Sequence, residues 1–449
     1  MENAIGILDH LQFDCPTTEQ KKALLALSDF VKVSNNDDFY ILCGSAGTGK
    51  TSMTTALIGH LNSKAISYLI AAPTGRAARV LGRKSKTMSS TIHSMIYNVK
   101  PNPKTGEVVF NLKENTISDF CVFIIDEASM IASTTHKEEG NLFISKEALL
   151  TDLVHFVKKG NSRNKIIFLG DKNQLPPVGE LDSMALSREY LEAKFQLKGS
   201  AHLLTEVKRQ EDGSIILKNA TKIRNGIDKN LGEVKMQGFQ KSTVAQAASA
   251  YIKSYTEFGF ESTISIGASH NMNKMFNGVI REKLYRYNAK QIELNELLII
   301  TTTWRRNDFQ LYSGDHVTVI KADYKDIETV AGLHFLPVQL RSKSINGAEE
   351  LIDDYILLES ISNPGGLDLQ QENLLRSLRY KKNKVYQETG NPSDDRYIGA
   401  IRATYGYSIT CNKAQGGEWV NVFLNTYRTP SLKFQYTAVT RAKSNLILY

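Results

Sequence analysis

Short apolar runs alternate with helical periodicity through the first 190 residues. Phe39-Tyr40-Ile41-Leu42-Cys43, Tyr68-Leu69-Ile70-Ala71, Phe120 to Ile125 and Ile166-Ile167-Phe168-Leu169 each read as a buried strand. The first is followed by a Gly-rich turn and a helix, the second by a helix through Arg76-Ala77-Ala78-Arg79-Val80-Leu81. Uninterrupted apolar strands separated by helices predict a parallel sheet covered on both faces, hence an α/β fold.

Two stretches break this rhythm. Near 97–118, Pro101, Pro103 and a Lys104-Thr105-Gly106 turn precede Val108-Val109-Phe110-Asn111-Leu112, which predicts an inserted β-hairpin. From 307 to 395, Asp315 to Ile320, Leu333 to Arg341 and Tyr355 to Leu358 read as strands of a small antiparallel barrel, followed by basic helical sequence from Leu369 to Tyr386. From Ile401 the α/β character returns, and Asn445-Leu446-Ile447-Leu448-Tyr449 reads as a last strand. No internal repeat or low-complexity tract is visible.

A chain of 449 residues predicts about three domains. With 41% hydrophobic and 23% charged residues it is globular, not disordered. The net charge of +8 hints at a polyanionic partner, although solubility alone explains it equally well. Cys15, Cys43, Cys121 and Cys411 are too dispersed for a metal knuckle or a disulfide framework, so a reducing cytoplasm is expected. No signal peptide is visible at Met1-Glu2-Asn3, and no apolar run approaches the ~18 residues of a membrane span.

The chemistry starts at Gly44-Ser45-Ala46-Gly47-Thr48-Gly49-Lys50-Thr51, a G-x-x-x-x-G-K-[ST] string between a strand and a helix. Its backbone N–H groups and the following helix N-terminus are expected to cradle the phosphates of ATP. Lys50 is expected to reach the β- and γ-phosphates, and Thr51 to bind Mg²⁺. Phe123-Ile124-Ile125-Asp126-Glu127 supplies the other half. Asp126 would hold Mg²⁺, directly or through water, and Glu127 would orient and deprotonate the attacking water. Together these strings predict a nucleoside triphosphatase.

Further strings follow in a set order, and with them the chain resembles the superfamily 1 helicases, in particular the RecD-like and Dda-like group that moves 5′→3′. The resemblance covers Thr17 to Tyr449 and rests on nine ordered motifs. Thr17-Thr18-Glu19-Gln20 is similar to the Q motif, in which Gln20 would read adenine; a plain helix cap at Thr17 or Thr18 is the other reading, and both can hold. Ala72-Pro73-Thr74-Gly75-Arg76-Ala77-Ala78 and Thr91-Ile92-His93-Ser94 are similar to motifs that line the single-strand path, which implies DNA contacts for Pro73, Thr74, Arg76 and His93. A structural role is the alternative for His93. Gly170-Asp171-Lys172-Asn173-Gln174-Leu175-Pro176-Pro177-Val178 matches motif III, with Gln174 coupling the γ-phosphate to the DNA channel. Leu204-Thr205-Glu206-Val207-Lys208-Arg209-Gln210 makes Arg209 a candidate arginine finger, or else a surface arginine. Thr410-Cys411-Asn412-Lys413-Ala414-Gln415-Gly416-Gly417-Glu418 resembles motif V, implying DNA contacts for Thr410, Asn412 and Lys413 and a nucleotide contact for Glu418. Asn412 stands where the family usually has His and cannot carry its charge. Tyr436-Thr437-Ala438-Val439-Thr440-Arg441-Ala442 resembles motif VI, with Arg441 as second finger.

The resemblance implies two RecA-like P-loop motor domains, with the β-hairpin inserted in the first and a small SH3-like β-barrel inserted in the second. The expected boundaries are 1–96 and 119–187 for the first motor domain and 97–118 for the hairpin. They are 188–306 and 396–449 for the second motor domain, and 307–395 for the barrel with its basic helical extension. The hairpin would act as a pin that splits the duplex, with Phe110 stacking on a base, bracing the pin against the barrel, or simply packing. Basic residues at 374–386 could face DNA or form a solvated helix. The implied enzyme is an ATP- and Mg²⁺-dependent DNA helicase. It would act as a monomer on single-stranded DNA and duplex junctions, away from membranes, in a bacterial cell or phage-infected host. DNA replication, repair and recombination are the settings such enzymes serve. The alternatives are a DNA-stimulated ATPase that remodels protein–DNA complexes, an RNA-directed helicase, and a catalytically silent DNA-binding module.

Overall fold

The computed structural model describes residues 6–13, 15–101, 108–135, 143–144, 146–206, 214–285, 291–306, 309–343, 348–363 and 366–449. The chain divides into two compact units. The first is Met1–Asn98, Phe110–His136 and Ser145–Leu217; the second is Val99–Val109, Lys137–Ile144 and Lys218–Tyr449.

In the first unit six strands form one sheet, in the order Ser90–Thr91, Ser67–Ala72, Cys121–Ile125, Lys165–Gly170, Phe39–Gly44, Gly199–Leu204. Every pairing is parallel. The continuous apolar runs have the expected cause. Alternate side chains point to opposite faces of the sheet, and both faces are buried. Phe39, Ile41, Phe123 and Phe168 pack with Leu153 and Phe156 of helix Leu149–Gly160. Tyr40, Leu42, Ile124 and Ile167 pack with Met53, Leu57 and Leu61 of helix Lys50–Ser63.

Gly199–Leu204, beyond the expected boundary at 187/188, belongs to the first sheet and runs beside Phe39–Gly44 from Phe39↔Gly199 to Gly44↔Leu204. An edge strand buries only part of itself, so Gly-Ser-Ala-His-Leu-Leu lacks the apolar run that marks the central strands. Gly199 is required for the close approach: a Cβ there would lie 2.3 Å from the Phe39 carbonyl oxygen and 2.7 Å from its ring.

Strands Tyr97–Pro101 and Val108–Leu112 are neighbours in a three-stranded sheet completed by Phe143–Ile144, which pairs in parallel with Val108–Val109. The third strand, two residues long, carries no sequence signal of its own. The 97–118 segment does not stay whole, since 99–109 is grouped with the second unit. The turn expected at Lys104-Thr105-Gly106 lies outside the described residues.

The second unit has a parallel sheet in the order Ser408–Thr410, Thr263–Gly267, Trp419–Leu424, Ala442–Leu448. It also has an antiparallel sheet in the order Glu328–Val330, Leu333–Lys343, His316–Ala322, Leu297–Ile300, Ala403–Tyr405, with Glu349–Leu357 paired to Leu333–Lys343. The limits 307–395 were therefore too narrow. Leu297-Leu298-Ile299-Ile300 reads as a strand of α/β type, yet it pairs antiparallel with His316–Ala322. In the basic segment, Leu375 and Tyr386 are core residues, Arg379 meets Asp395 at 2.8 Å, and Arg402 pairs with Glu372. Packing thus accounts for one face of helices Leu369–Lys382 and Lys384–Thr389, while Lys381, Lys382 and Lys384 remain exposed. Among the described residues no helix is long and apolar enough to cross a membrane.

Gly199→Ala is expected to destabilise the first unit by ~1–3 kcal/mol through overpacking against Phe39. Thermal unfolding of the variant against the parent checks this; an unchanged melting temperature would show that the strand can shift at no cost.

Candidate nucleotide and nucleic-acid sites

Parallel strands all end on the same edge of their sheet, which is where α/β folds bind ligands. In the first unit that edge receives Ser45–Gly49, Pro73–Arg76, Ile92–His93, Asp126–Glu127, Asp171–Val178 and Thr205–Glu206, each following its own strand. Six segments distant in sequence are thereby brought to one edge.

The phosphate loop is held from beneath. Lys50 Nζ donates to the carbonyls of Gly44 at 2.5 Å and Ser45 at 3.2 Å. The Thr48 hydroxyl donates to the Ser45 carbonyl at 2.9 Å. Gly47 and Gly49 have φ of +84° and +87°, the left-handed region that favours glycine. A Cβ on Gly49 would also lie 2.7 Å from Gln20 Nε2. Gln20 takes part in the helix cap expected at Thr17. Thr17 caps helix Thr18–Phe30, its hydroxyl accepting from Gln20 N–H at 3.1 Å, and Gln20 Oε1 accepts from Thr17 N–H at 2.9 Å. Gln20 Nε2 donates to the Thr48 carbonyl at 2.9 Å. The buried amide is thus engaged by the helix cap and the phosphate loop. Ala46 and Thr51 take their places in the loop and the first turn of helix Lys50–Ser63.

Asp126 Oδ1 accepts from Glu127 N–H at 2.9 Å. Burial raises the Asp126 carboxyl pKa, against the opposing pull of that N–H and of Lys50 and Lys84. Glu127 has φ +50° and ψ +39°, a left-handed conformation that costs a non-glycine residue ~1 kcal/mol or more. Strain of this kind persists where its surroundings fix a side-chain direction. Gln174 is 3% exposed, and its Oε1 has no hydrogen-bond partner. Thr51 and Asp126 are hard oxygen donors, the set that Mg²⁺ takes, so the residues fit that ion.

On the nucleic-acid side of this unit, Thr74 caps helix Gly75–Ser85 by accepting from Ala77 N–H at 3.2 Å, with Pro73 before it and Arg76 in its first turn. Thr91 caps helix Ile92–Ile96 through Ser94 N–H at 3.1 Å. His93 sits in an aromatic cluster, its ring centroid 5.7 Å from Tyr97 and 5.5 Å from Phe110, while Tyr97 and Phe110 are 5.2 Å apart. Tyr97 is anchored in turn by its hydroxyl, which donates to Asp152 at 2.6 Å. Burial lowers the His93 pKa, which favours a neutral ring. Phe110 belongs to the margin of the first core, so packing is the reading observed, rather than an exposed stacking face.

Arg209 lies outside the described residues. The chain leading to it does not. Glu19 accepts from Thr205 N–H at 2.7 Å, the Thr205 hydroxyl at 2.6 Å and Glu206 N–H at 3.1 Å. Burial raises the pKa of Glu19, but these bonds outweigh it and leave it lowered. Glu180 binds Ser133 and Thr134 in the same manner. Neither acid stood out in the sequence, because a lone glutamate carries no spacing signal.

In the second unit Arg441 is buried at 4% exposure. It donates to the carbonyls of Thr437 at 3.0 Å and Gly417 at 3.1 Å, and to the Thr440 hydroxyl at 3.1 Å. The two motifs that carry Gly417 and Arg441 are therefore joined. Glu418 faces Lys443 at 3.9 Å. Asn412 is exposed, whereas Thr410 and Lys413 line a pocket with His270, Asn273, Lys274 and Ser408, closed by the apolar Ile299 and Ile409. Asn273 Oδ1 accepts from the Ser408 hydroxyl at 2.8 Å, and its buried Nδ2 has no partner. Burial lowers the pKa of Lys413; burial and then the Lys413 charge lower that of His270. His270, Asn273 and Lys274 were missed in the sequence, although the strand-then-polar-helix order at Thr263–Gly267 and His270–Tyr285 is a usable signal.

The chain matches the AAA domain family over residues 17–243, more than half its length, and the UvrD-like helicase C-terminal domain over 405–449. It is similar to the ATP-dependent DNA helicase dda of Enterobacteria phage T4, with 29% identity over 70% of this chain and 69% of that protein. It is similar to the RecBCD enzyme subunit RecD of Buchnera aphidicola subsp. Schizaphis graminum, with 23% identity over 100% of this chain and 75% of that one. Among solved structures, Pif1 helicase from Bacteroides in complex with ADP-AlF3 and ssDNA aligns with a TM-score of 0.54 at 14% identity, covering 97% of this chain and 92% of that chain. That likeness shows the fold: two RecA-like domains.

Phe110→Ala is expected to lower stability by ~1–3 kcal/mol and to loosen His93. Both ATP turnover on single-stranded DNA and duplex opening should then decline. Selective loss of duplex opening, with stability and turnover intact, would restore the base-stacking reading.

Proposed function

The chain belongs to the AAA-domain family and to the superfamily 1 helicases of the RecD-, Dda- and Pif1-like group, and on that footing we propose that it is an ATP-driven DNA helicase moving 5′→3′ along single-stranded DNA. The observation that carries this reading is the common sheet edge. Nucleotide-type segments at 126–127, 171–178 and 45–51 lie side by side there, next to nucleic-acid-type segments at 73–76 and 91–93.

Lys50 and the loop N–H groups bind the phosphates, and Lys50 exchanges its carbonyl partners for phosphate oxygens. Thr51 and Asp126 would hold Mg²⁺, which when bound neutralises charge on the β- and γ-phosphates. Glu127, at a left-handed backbone position directly after the strand, orients the attacking water and takes its proton. Gln174 offers its unpartnered buried Oε1 to the water or to a γ-phosphate hydroxyl. Arg209 and Arg441 act as stabilising cations as charge redistributes in the transition state. Pro73, Thr74, Arg76 and His93 position one stretch of strand, and Thr410 and Lys413 with His270 and Asn273 another. Such phosphate-directed contacts make binding salt-sensitive and weakly dependent on sequence. The paired strands Tyr97–Pro101 and Val108–Leu112 form the pin, and the antiparallel sheet of the second unit is the SH3-like insertion. The enzyme works as a monomer in the cytoplasm.

Tailed duplexes in ATP and Mg²⁺ test the function. A 5′ single-stranded DNA tail should support opening and a 3′ tail should not. Phosphate release without opening on either tail would favour the remodelling reading, and preference for RNA tails would favour an RNA substrate. Lys50→Ala should abolish turnover, and Glu127→Gln should retain ATP binding while losing hydrolysis. Normal hydrolysis by Glu127→Gln would remove Glu127 as the base. Lys413→Ala should weaken single-strand binding uniformly across sequences and reduce the salt slope by about 1. An unchanged slope in a salt titration would place Lys413 off the strand.

A further inference from the structure

A loop whose N–H groups converge on phosphates turns carbonyls away from them, and each carbonyl so turned needs a donor of its own. In the phosphate loop those donors are side chains. Lys50 serves the Gly44 and Ser45 carbonyls, and the Thr48 hydroxyl also serves Ser45. The Thr48 carbonyl sits between Gly47 and Gly49, both left-handed at φ +84° and +87°. Its donor comes from outside the loop: Gln20 Nε2 at 2.9 Å, from helix Thr18–Phe30. The other end of the Gln20 carboxamide is held as well, Oε1 accepting from Thr17 N–H at 2.9 Å. Lys50 can exchange its carbonyls for phosphate oxygens, whereas Gln20 is fixed at both of its polar atoms.

The position is also closed. Gln20 is 2% exposed and Thr48 1%. A Cβ on Gly49 would lie 2.7 Å from Gln20 Nε2, so the amide rests directly against the loop backbone. A carboxamide reads adenine by presenting its donor and acceptor together to N7 and N6. Here the two atoms face Thr48 and Thr17, and turning them to a base would break both bonds and leave the buried Thr48 carbonyl unpaired. We propose that Gln20 is a positioning residue of the phosphate loop and not a reader of the base, so that the site selects its ligand by the triphosphate and accepts nucleoside triphosphates of differing base. This inference rests on the reading of the loop as an ATP site, and it widens the substrate class of that site from ATP to nucleoside triphosphates.

The test uses the full chain with Mg²⁺ and single-stranded DNA. It measures kcat and KM for ATP, and the Ki of GTP and of inorganic tripolyphosphate, which carries no base, against ATP turnover. In the parent the Ki of GTP should lie within about fivefold of the KM for ATP, because a site that makes no hydrogen bond to the base has little with which to discriminate. Gln20→Met keeps the length of the side chain and removes both bonds. It should raise the KM for ATP and both Ki values by one common factor of about tenfold, the three agreeing within about twofold, with kcat within about threefold of the parent. Thr17→Ala weakens the helix cap and leaves Gln20 bonded to Thr48. It should lower the melting temperature and leave all three constants within about twofold of the parent. The competition by GTP in the parent decides the question should Gln20→Met not fold. The proposal is overturned if the rise for ATP exceeds the rise for GTP and tripolyphosphate by about fivefold or more. It is equally overturned if Gln20→Met changes none of the three constants, if Thr17→Ala reproduces the rise, or if GTP fails to compete in the parent. A parent that neither hydrolyses ATP nor binds tripolyphosphate overturns the reading of the loop as an ATP site, a result distinct from each of these.

Discussion

Parallel pairing of the six strands in the first unit is the constraint on which the rest depends. A parallel sheet must be covered on both faces, and each strand must return by a crossover, so every loop that follows a strand leaves from one edge. The strand Phe39–Gly44 lies between Lys165–Gly170 and Gly199–Leu204. That position sets the phosphate loop beside the Gln174 loop on one side and the Thr205–Glu206 segment on the other. The central residues Tyr40, Ile41, Ile166 and Ile167 contribute no chemistry, yet without their burial on both faces there would be no common edge.

Loops on such an edge still need fixing, and here carboxylates and amides do it. Gln20 spans the helix cap and the phosphate loop, Glu19 gathers the N–H groups of Thr205 and Glu206, and Glu180 gathers those of Ser133 and Thr134. Each satisfies backbone donors that a turn would otherwise leave to water. A carboxylate suits the task because it accepts from several directions at once and binds N–H more strongly than a neutral oxygen. The loops are therefore held by local networks within one unit, while the buried Gln174 Oε1 takes no part in them.

The second unit uses the same logic with the opposite charge. Arg441 is fastened to Thr437, Thr440 and Gly417, so the chain around Gly416-Gly417 is held by a buried guanidinium. Lys413 and His270 line one pocket, where burial disfavours the charge of both and the Lys413 charge adds to the effect on His270.

The sequence by itself determined the central strands, the helix caps, the phosphate loop and the acidic pair, because these depend on local periodicity and on strings of fixed spacing. Phe39–Gly44, Cys121–Ile125 and Lys165–Gly170 were legible because burial on both faces leaves an unbroken apolar run. Only tertiary structure decided the rest. The edge strand Gly199–Leu204 hides because half-exposure dilutes its pattern, and its membership turns on a close approach at Gly199. Leu297–Ile300 looks like its parallel counterparts, since an apolar run does not record the direction of its partner. Stacking, bracing and packing were all open for Phe110 in the sequence, and its position beside His93 and Tyr97 is set by folding across the sheet margin. The tethering acids Glu19 and Glu180 lie 186 and 47 residues from the hydroxyls they hold, and no local pattern encodes a bond over such a separation.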